Sequence, residues 1–243
     1  MRVPIARPFL LIPFMLLLAC SSKDAASDKT SLELVSPDDA YGKTYADWAA
    51  TWVQYVSSAS PPDCNQPLMD ETGESCALNQ DDASDVFFLV GNYAGVSVRD
   101  KCKAPASKAL FFPLINVWGD NAGVPADMLL SDSDIKAYMK SKFNDMDSSS
   151  LKLSVDGTTV PNLASGAVPV APYTLELAPM ANVYVCNGSS DVQGEFPGYL
   201  SGYWAMLPPL SAGQHHLEFG GTAKGSTSMD MQTVDQTYEL TVE

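Results

Sequence analysis

The sequence predicts a mainly β protein of the α+β class: an antiparallel β-sandwich or jelly-roll-like body carrying an N-terminal amphipathic helix and one further short helix. Three observations point there. Short apolar runs with period-two alternation recur through the second half of the chain, which is the pattern of half-buried strands. Seventeen prolines and 16 glycines punctuate them, as the turns of sandwiches and barrels require. Only residues 41–57 and 135–143 carry a helical period.

Taken in chain order, the first segment reads as an export signal. Arg2 and Arg7 form a basic start, residues 9–18 an apolar run, and Leu17-Leu18-Ala19-Cys20 a small-residue cleavage site. The run is half the length of about 20 residues needed to cross a bilayer. Its last four residues are similar to the lipobox of bacterial lipoproteins, in which the cysteine is diacylated at sulfur and, once the peptide bond before it is cleaved, becomes the new, fatty-acylated (palmitate-bearing) N-terminus. Cys20 is therefore the expected lipidation site, with 1–19 a signal peptide and 20–39 the lipidated cysteine and a flexible tether of Ser, Lys, Asp, Ala and Thr. Such a coil spans about 25 Å root-mean-square. Ser21, where an aspartate would favour inner-membrane retention, makes the outer membrane the expected location. Residues 40–243 form a single globular domain.

In residues 41–57, Tyr45, Trp48, Ala49, Trp52, Tyr55 and Val56 recur at spacings of three and four, one face of a helix that ends before Pro61-Pro62. An aromatic stripe of this kind packs a core or, if exposed, stacks sugars. Next, residues 86–91 read as a strand, 95–102 as part of a hairpin or its connection ending in the basic cluster Arg99, Lys101 and Lys103, and 109–112 as a strand preceding Pro113. Ser131 to Asp134 resembles a helix cap leading into 135–143. Alternation in 151–155, followed by Asp156-Gly157 and 158–160, is the strongest hairpin signal in the chain. Further strands are expected at 173–177, 182–185, 203–207, 215–219 and 238–242.

Loss of the signal removes two of the 14 basic residues, leaving 12 against 29 acidic ones and a formal charge of −17. Such a surface repels phosphate backbones, so nucleic acid is excluded as a partner. It gains nothing from anionic headgroups either, so membrane attachment falls to the lipid. Cys64, Cys76, Cys102 and Cys186 remain after Cys20, an even number that reads as two disulfides in an exported chain, with three connectivities open. Zinc fails on spacing: no Cys-x-x-Cys pair exists, and the two histidines, His215 and His216, are adjacent in a strand and point to opposite faces.

Signals for chemistry are few. The Gly-x-Ser-x-Gly elbow is absent, its nearest string, Gly95-Val96-Ser97-Val98-Arg99, lacking the second glycine. Neither phosphate-binding glycine motif occurs. A glycosidase needs two carboxylates about 5 to 10 Å apart, and 29 acidic residues are too many to single out a pair. No cofactor is indicated. Calcium is the one inorganic partner with a basis, since Asp70, Glu71, Asp81, Asp82 and Asp85 lie in two loops of an exported domain, although neither loop matches the EF-hand.

Several segments carry a resemblance: residues 45–52 (YADWAATW), 70–80 (DETGESCALNQ), 87–91 (FFLVG), 102–116 (CKAPASKALFFPLIN), 153–163 (LSVDGTTVPNL), 202–221 (GYWAMLPPLSAGQHHLEFGG) and 238–242. On these the chain resembles a family of bacterial secreted proteins and lipoproteins with no established activity. That resemblance implies a Cys76–Cys102 bridge, and with it Cys64–Cys186. The expectation is a lipid-anchored, non-enzymatic binding module for an envelope protein or glycan. The alternatives are an envelope-polymer hydrolase using paired carboxylates and a structural envelope protein.

Overall fold

The computed structural model describes residues 32–58, 66–91, 95–186, 188–189, 192–224 and 233–243. The signal, Cys20, the tether up to residue 31, and Cys64 lie outside them. In chain order the elements are α1 (Tyr45–Ser57), β1 (Val86–Phe88), β2 (Gly95–Arg99), β3 (Lys103–Ala104), β4 (Ala109–Asp120), α2 (Asp132–Asp145), β5 (Met146–Val155), β6 (Thr158–Thr159), a 3-10 turn (Leu163–Gly166), β7 (Ala167–Leu177), α3 (Val183–Cys186), β8 (Gly194–Leu207), β9 (Gly213–Ala223) and β10 (Thr233–Val242). None of the described helices is long and apolar enough to cross a membrane.

The strands form two sheets. One has the order β1-β4-β8-β7; the other runs β2-β10-β9-β5-β6, with β3 also on β10. Between them lies one apolar layer, Leu110, Phe112, Leu114, Ala205 and Leu207 facing Leu153, Leu217, Phe219, Tyr238 and Leu240, with the Phe112 and Phe219 rings 4.4 Å apart. The mainly β, two-layer body is as expected, but both sheets are mixed rather than purely antiparallel, because β1 pairs parallel with β4 and β2 and β3 pair parallel with β10. Helix α1 covers the other face of the first sheet, so residues 109–115 of β4 are buried and read as an unbroken apolar run.

Helix α1 starts four residues later than its periodicity suggests. Tyr41 and Gly42 adopt positive φ (54° and 78°), and Thr44 then caps the helix reciprocally with Asp47. Its aromatic stripe packs inward. Trp52 meets Trp204 and Trp118 edge-on at 5.3 and 5.7 Å and donates Nε1–H to the Leu89 carbonyl at 2.8 Å. Each such ring pair adds about 0.5–1.5 kcal/mol beyond its buried area. Residues 32–35, expected within the tether, lie on the body: Leu32, Leu34 and Val35 pack against the cores, and the Val35 N–H donates to the Met206 carbonyl at 2.9 Å.

Three local expectations are corrected. Residues 95–102 do not fold back as a hairpin; β2 crosses to the second sheet and pairs parallel with β10, followed by β3 on the same edge. The strand expected over 109–112 runs on through Pro113 to Asp120, with a register shift between Pro113 and Ile115. The reason is that β1 pairs only as far as Phe111, so no β1 residue needs the amide that proline lacks. Residues 182–185 are not a strand, because the Asn182 side chain accepts from the Tyr184 and Val185 N–H groups, both at 3.1 Å, and caps α3. By contrast Asp156 and Gly157 have φ of 51° and 74°, the positive values a two-residue hairpin needs.

Helix α2 lies against β4, β7 and β8 through Ile135 and Met139. Its N-cap, Ser131, accepts from the Asp134 N–H. At the start of the body the chain pairs beside Met206, whereas Asp120 lies opposite Gly198 at the other end of β8. Eight residues at about 3.4 Å each put roughly 27 Å between these ends.

Candidate functional site

The residues singled out by sequence fall into three groups. Cys76 and Cys102 are bridged, Cα–Cα 5.6 Å, as the resemblance implied. Cys186 is also disulfide-bonded, while Cys64 lies outside the described residues, as does Cys20.

The acidic loops spend their oxygens locally. Asp70 Oδ1 accepts from the Thr72 N–H and hydroxyl, and Oδ2 from the Ser75 N–H at 2.6 Å. Burial opposes the charge, but these donors outweigh it and hold the Asp70 carboxyl below its usual range. Asp81 accepts from the Ala83 N–H. Glu71, Asp82 and Asp85 are exposed. Among the described residues no group of three or more His, Cys, Asp or Glu side chains is placed to hold a metal ion. Trp48 and Trp52 are 5% and 1% exposed, so α1 offers no sugar-stacking platform.

The two histidines occupy the rim and outer face of the second sheet. His215 Nδ1 lies 2.7 Å from Asp156 Oδ2 and Nε2 2.8 Å from the Ser211 carbonyl. Both neighbours are acceptors, so only the doubly protonated ring satisfies both. Burial works against that charge, yet the Ser211 carbonyl and Asp156 carboxylate raise the His215 pKa above its ordinary value. His216 Nδ1 sits 2.7 Å from Glu239 Oε1, which raises its pKa too. No serine hydroxyl is among their described partners. One groove of about 330 Å³ brings Asp82 and Glu243 together, but Glu243 is exposed and paired with Lys103 at 3.0 Å. A groove of about 510 Å³ beside β5 contains the single carboxylate Glu218.

What sequence reasoning missed is the loop between β4 and α2. Met128, Leu129 and Leu130 are 63%, 54% and 52% exposed, three consecutive aliphatic side chains in water. The loop is nevertheless organised. Asn121 donates Nδ2–H to the Leu130 carbonyl at 2.9 Å and accepts the Leu130 N–H at 3.0 Å, as a strand neighbour would. The Val124 N–H donates to the Asn121 carbonyl and the Met128 N–H to the Pro125 carbonyl.

At its base, Asp120 accepts from the Ala122 N–H at 2.7 Å and the Tyr173 hydroxyl at 2.5 Å. Burial first, and the Asp120 carboxylate second, push the Tyr173 pKa far up, so the phenol stays a donor. Beside the loop, Tyr138 is 50% exposed, and Lys136 Nζ lies 5.5 Å over the Tyr199 ring. The available signal was an apolar triplet with no strand or helix period, bounded by Pro125 and the N-cap Ser131; such runs are errors of design unless functional. Compared with protein-family models and with curated proteins, the chain matches none.

Proposed function

We propose that this chain is an envelope lipoprotein, anchored by an acylated Cys20 in the outer membrane, that serves as a non-enzymatic interaction module through the end of its body bearing Met128, Leu129 and Leu130. One observation carries the reading: an apolar tip held in a fixed shape, remote from where the described chain begins, by bonds that leave its side chains in water. Exposed apolar groups kept rigid are poised for contact, and rigidity reduces the entropy lost on binding. The bridge Cys76–Cys102 fits an oxidising compartment. A glycan hydrolase and a purely structural role have no comparable observation behind them.

The test is a photo-reactive amino acid placed at Leu129 in cells, with the same residue at Glu218 as reference. Adducts to a protein, glycan or lipid at 129 that are absent at 218 support the module. Identical, background-level labelling at both positions removes it.

A further inference from the structure

We infer that the occupant of this tip is the bilayer holding the acylated N-terminus, so that Met128, Leu129 and Leu130 enter its interfacial layer and the body lies along the membrane. The inference rests on the proposed Cys20 anchor, and four features support it.

The first is reach. Eleven residues, 21–31, separate Cys20 from the described body, and at 3.3–3.6 Å each they extend to at most about 40 Å. That exceeds the roughly 27 Å between the two ends of β8, so the tip can return to the surface that holds the anchor. An anchored chain meets that surface at high effective concentration.

Shape is the second. Residues 125–134 are all exposed, so the tip is convex. A protein partner must offer a matching hollow, whereas a lipid interface yields to a convex aliphatic group.

The third feature is partial polar satisfaction of the loop backbone. Backbone groups entering a water-poor layer need partners of their own, and the N–H groups of Val124, Met128 and Leu130 and the carbonyl of Leu130 all have them within the loop.

The flanks supply the last. Tyr138 and Lys136 are exposed on the following helix, and Tyr and Lys are the side chains that settle at headgroup level. Asp127, Asp132 and Asp134 are exposed beside them, with Asp132 accepting from the Tyr199 hydroxyl and Asp134 from that of Ser131. These carboxylates set a shallow depth, and with a mature charge of −17 the contact is apolar rather than electrostatic.

The experiment uses the full-length acylated protein in vesicles of phosphatidylethanolamine and phosphatidylglycerol, with a polarity-sensitive fluorophore on Leu129→Cys or, as reference, Glu218→Cys. Acylation of each preparation is verified by mass spectrometry, which checks the anchor separately. The expected result is a blue shift at 129 and quenching by lipids brominated near the headgroup, both absent at 218 and unchanged by 0.5 M salt. Adding Leu130→Asp to the 129-labelled protein is expected to abolish both signals without altering its circular dichroism. A water-like spectrum at 129 in acylated protein overturns the bilayer inference; protein adducts from residue 129 in cells would then leave the interaction module standing with a different occupant.

Discussion

Replacing Arg99 by alanine is expected to be among the most damaging single changes in this protein. The side chain is 1% exposed, and its guanidinium is met by neutral acceptors. Nε donates to the Asp70 carbonyl at 2.9 Å, Nη1 to Gln236 Oε1 at 2.6 Å and to the Val90 carbonyl and Ser97 hydroxyl at 3.3 Å, and Nη2 to the carbonyls of Gly91 and Leu68 at 3.2 and 3.4 Å. The Tyr238 ring lies 5.7 Å away.

Bonds to a charged donor contribute about 1.5–3 kcal/mol each, and the lost hydration of a buried ion takes back several kcal/mol. The balance need not be large for truncation to be severe, because Arg99→Ala takes the guanidinium donor from the buried Leu68 and Gly91 carbonyls and the half-buried Asp70 carbonyl, at about 1–3 kcal/mol each before water re-enters, while the Val90 carbonyl keeps the Tyr238 hydroxyl. A loss of about 4 kcal/mol follows, or about 8–16 °C in melting temperature for a chain of this size. Arg99→Lys, with three donors on a compact head, should recover about half. Urea denaturation monitored by tryptophan fluorescence measures it, with Lys101→Ala as reference, since the exposed Lys101–Glu74 pair at 3.4 Å is worth under about 1 kcal/mol. An Arg99→Ala midpoint within about 1 kcal/mol of that reference refutes the reasoning.

Removing the Cys76–Cys102 bridge, with a sequence separation of 26, should cost about 3.5 kcal/mol from loop-closure entropy; a doubly substituted Cys76→Ala, Cys102→Ala protein unfolding within about 1 kcal/mol of the parent would contradict this. The raised pKa of His215 makes its contribution complete below the ordinary histidine value of about 6.5 and lost as pH climbs through the higher folded-state value. Thermal melts between pH 5 and 9 should therefore show the parent's advantage over His215→Gln shrinking with rising pH, and a constant difference argues against it. For the anchor, an alkynyl fatty acid fed to cells should label the protein, and Cys20→Ala should abolish the label; persistent labelling places the lipid elsewhere.

Elements whose cause is local were legible in the sequence. The stripe from Tyr45 to Val56 announced α1, and Asp156-Gly157 announced its turn. What could not be read depended on distant partners. Whether Pro113 ends a strand turns on how far β1 extends. Arg99, Lys101 and Lys103 look like one basic cluster, yet Arg99 is buried because Gln236, more than 130 residues away, and the carbonyls near Val90 surround it. Met128 to Leu130 are not legible in the sequence because their exposure is a tertiary property, and no periodicity reports that.

The Asn121 clasp has one more consequence. A side-chain amide closes the ring that a neighbouring strand would otherwise close, and it does so on the backbone of Leu130. The side chains of residues 125–129, all exposed, are thereby relieved of structural duty. Substitutions of those side chains are therefore expected to leave the stability of the scaffold unchanged.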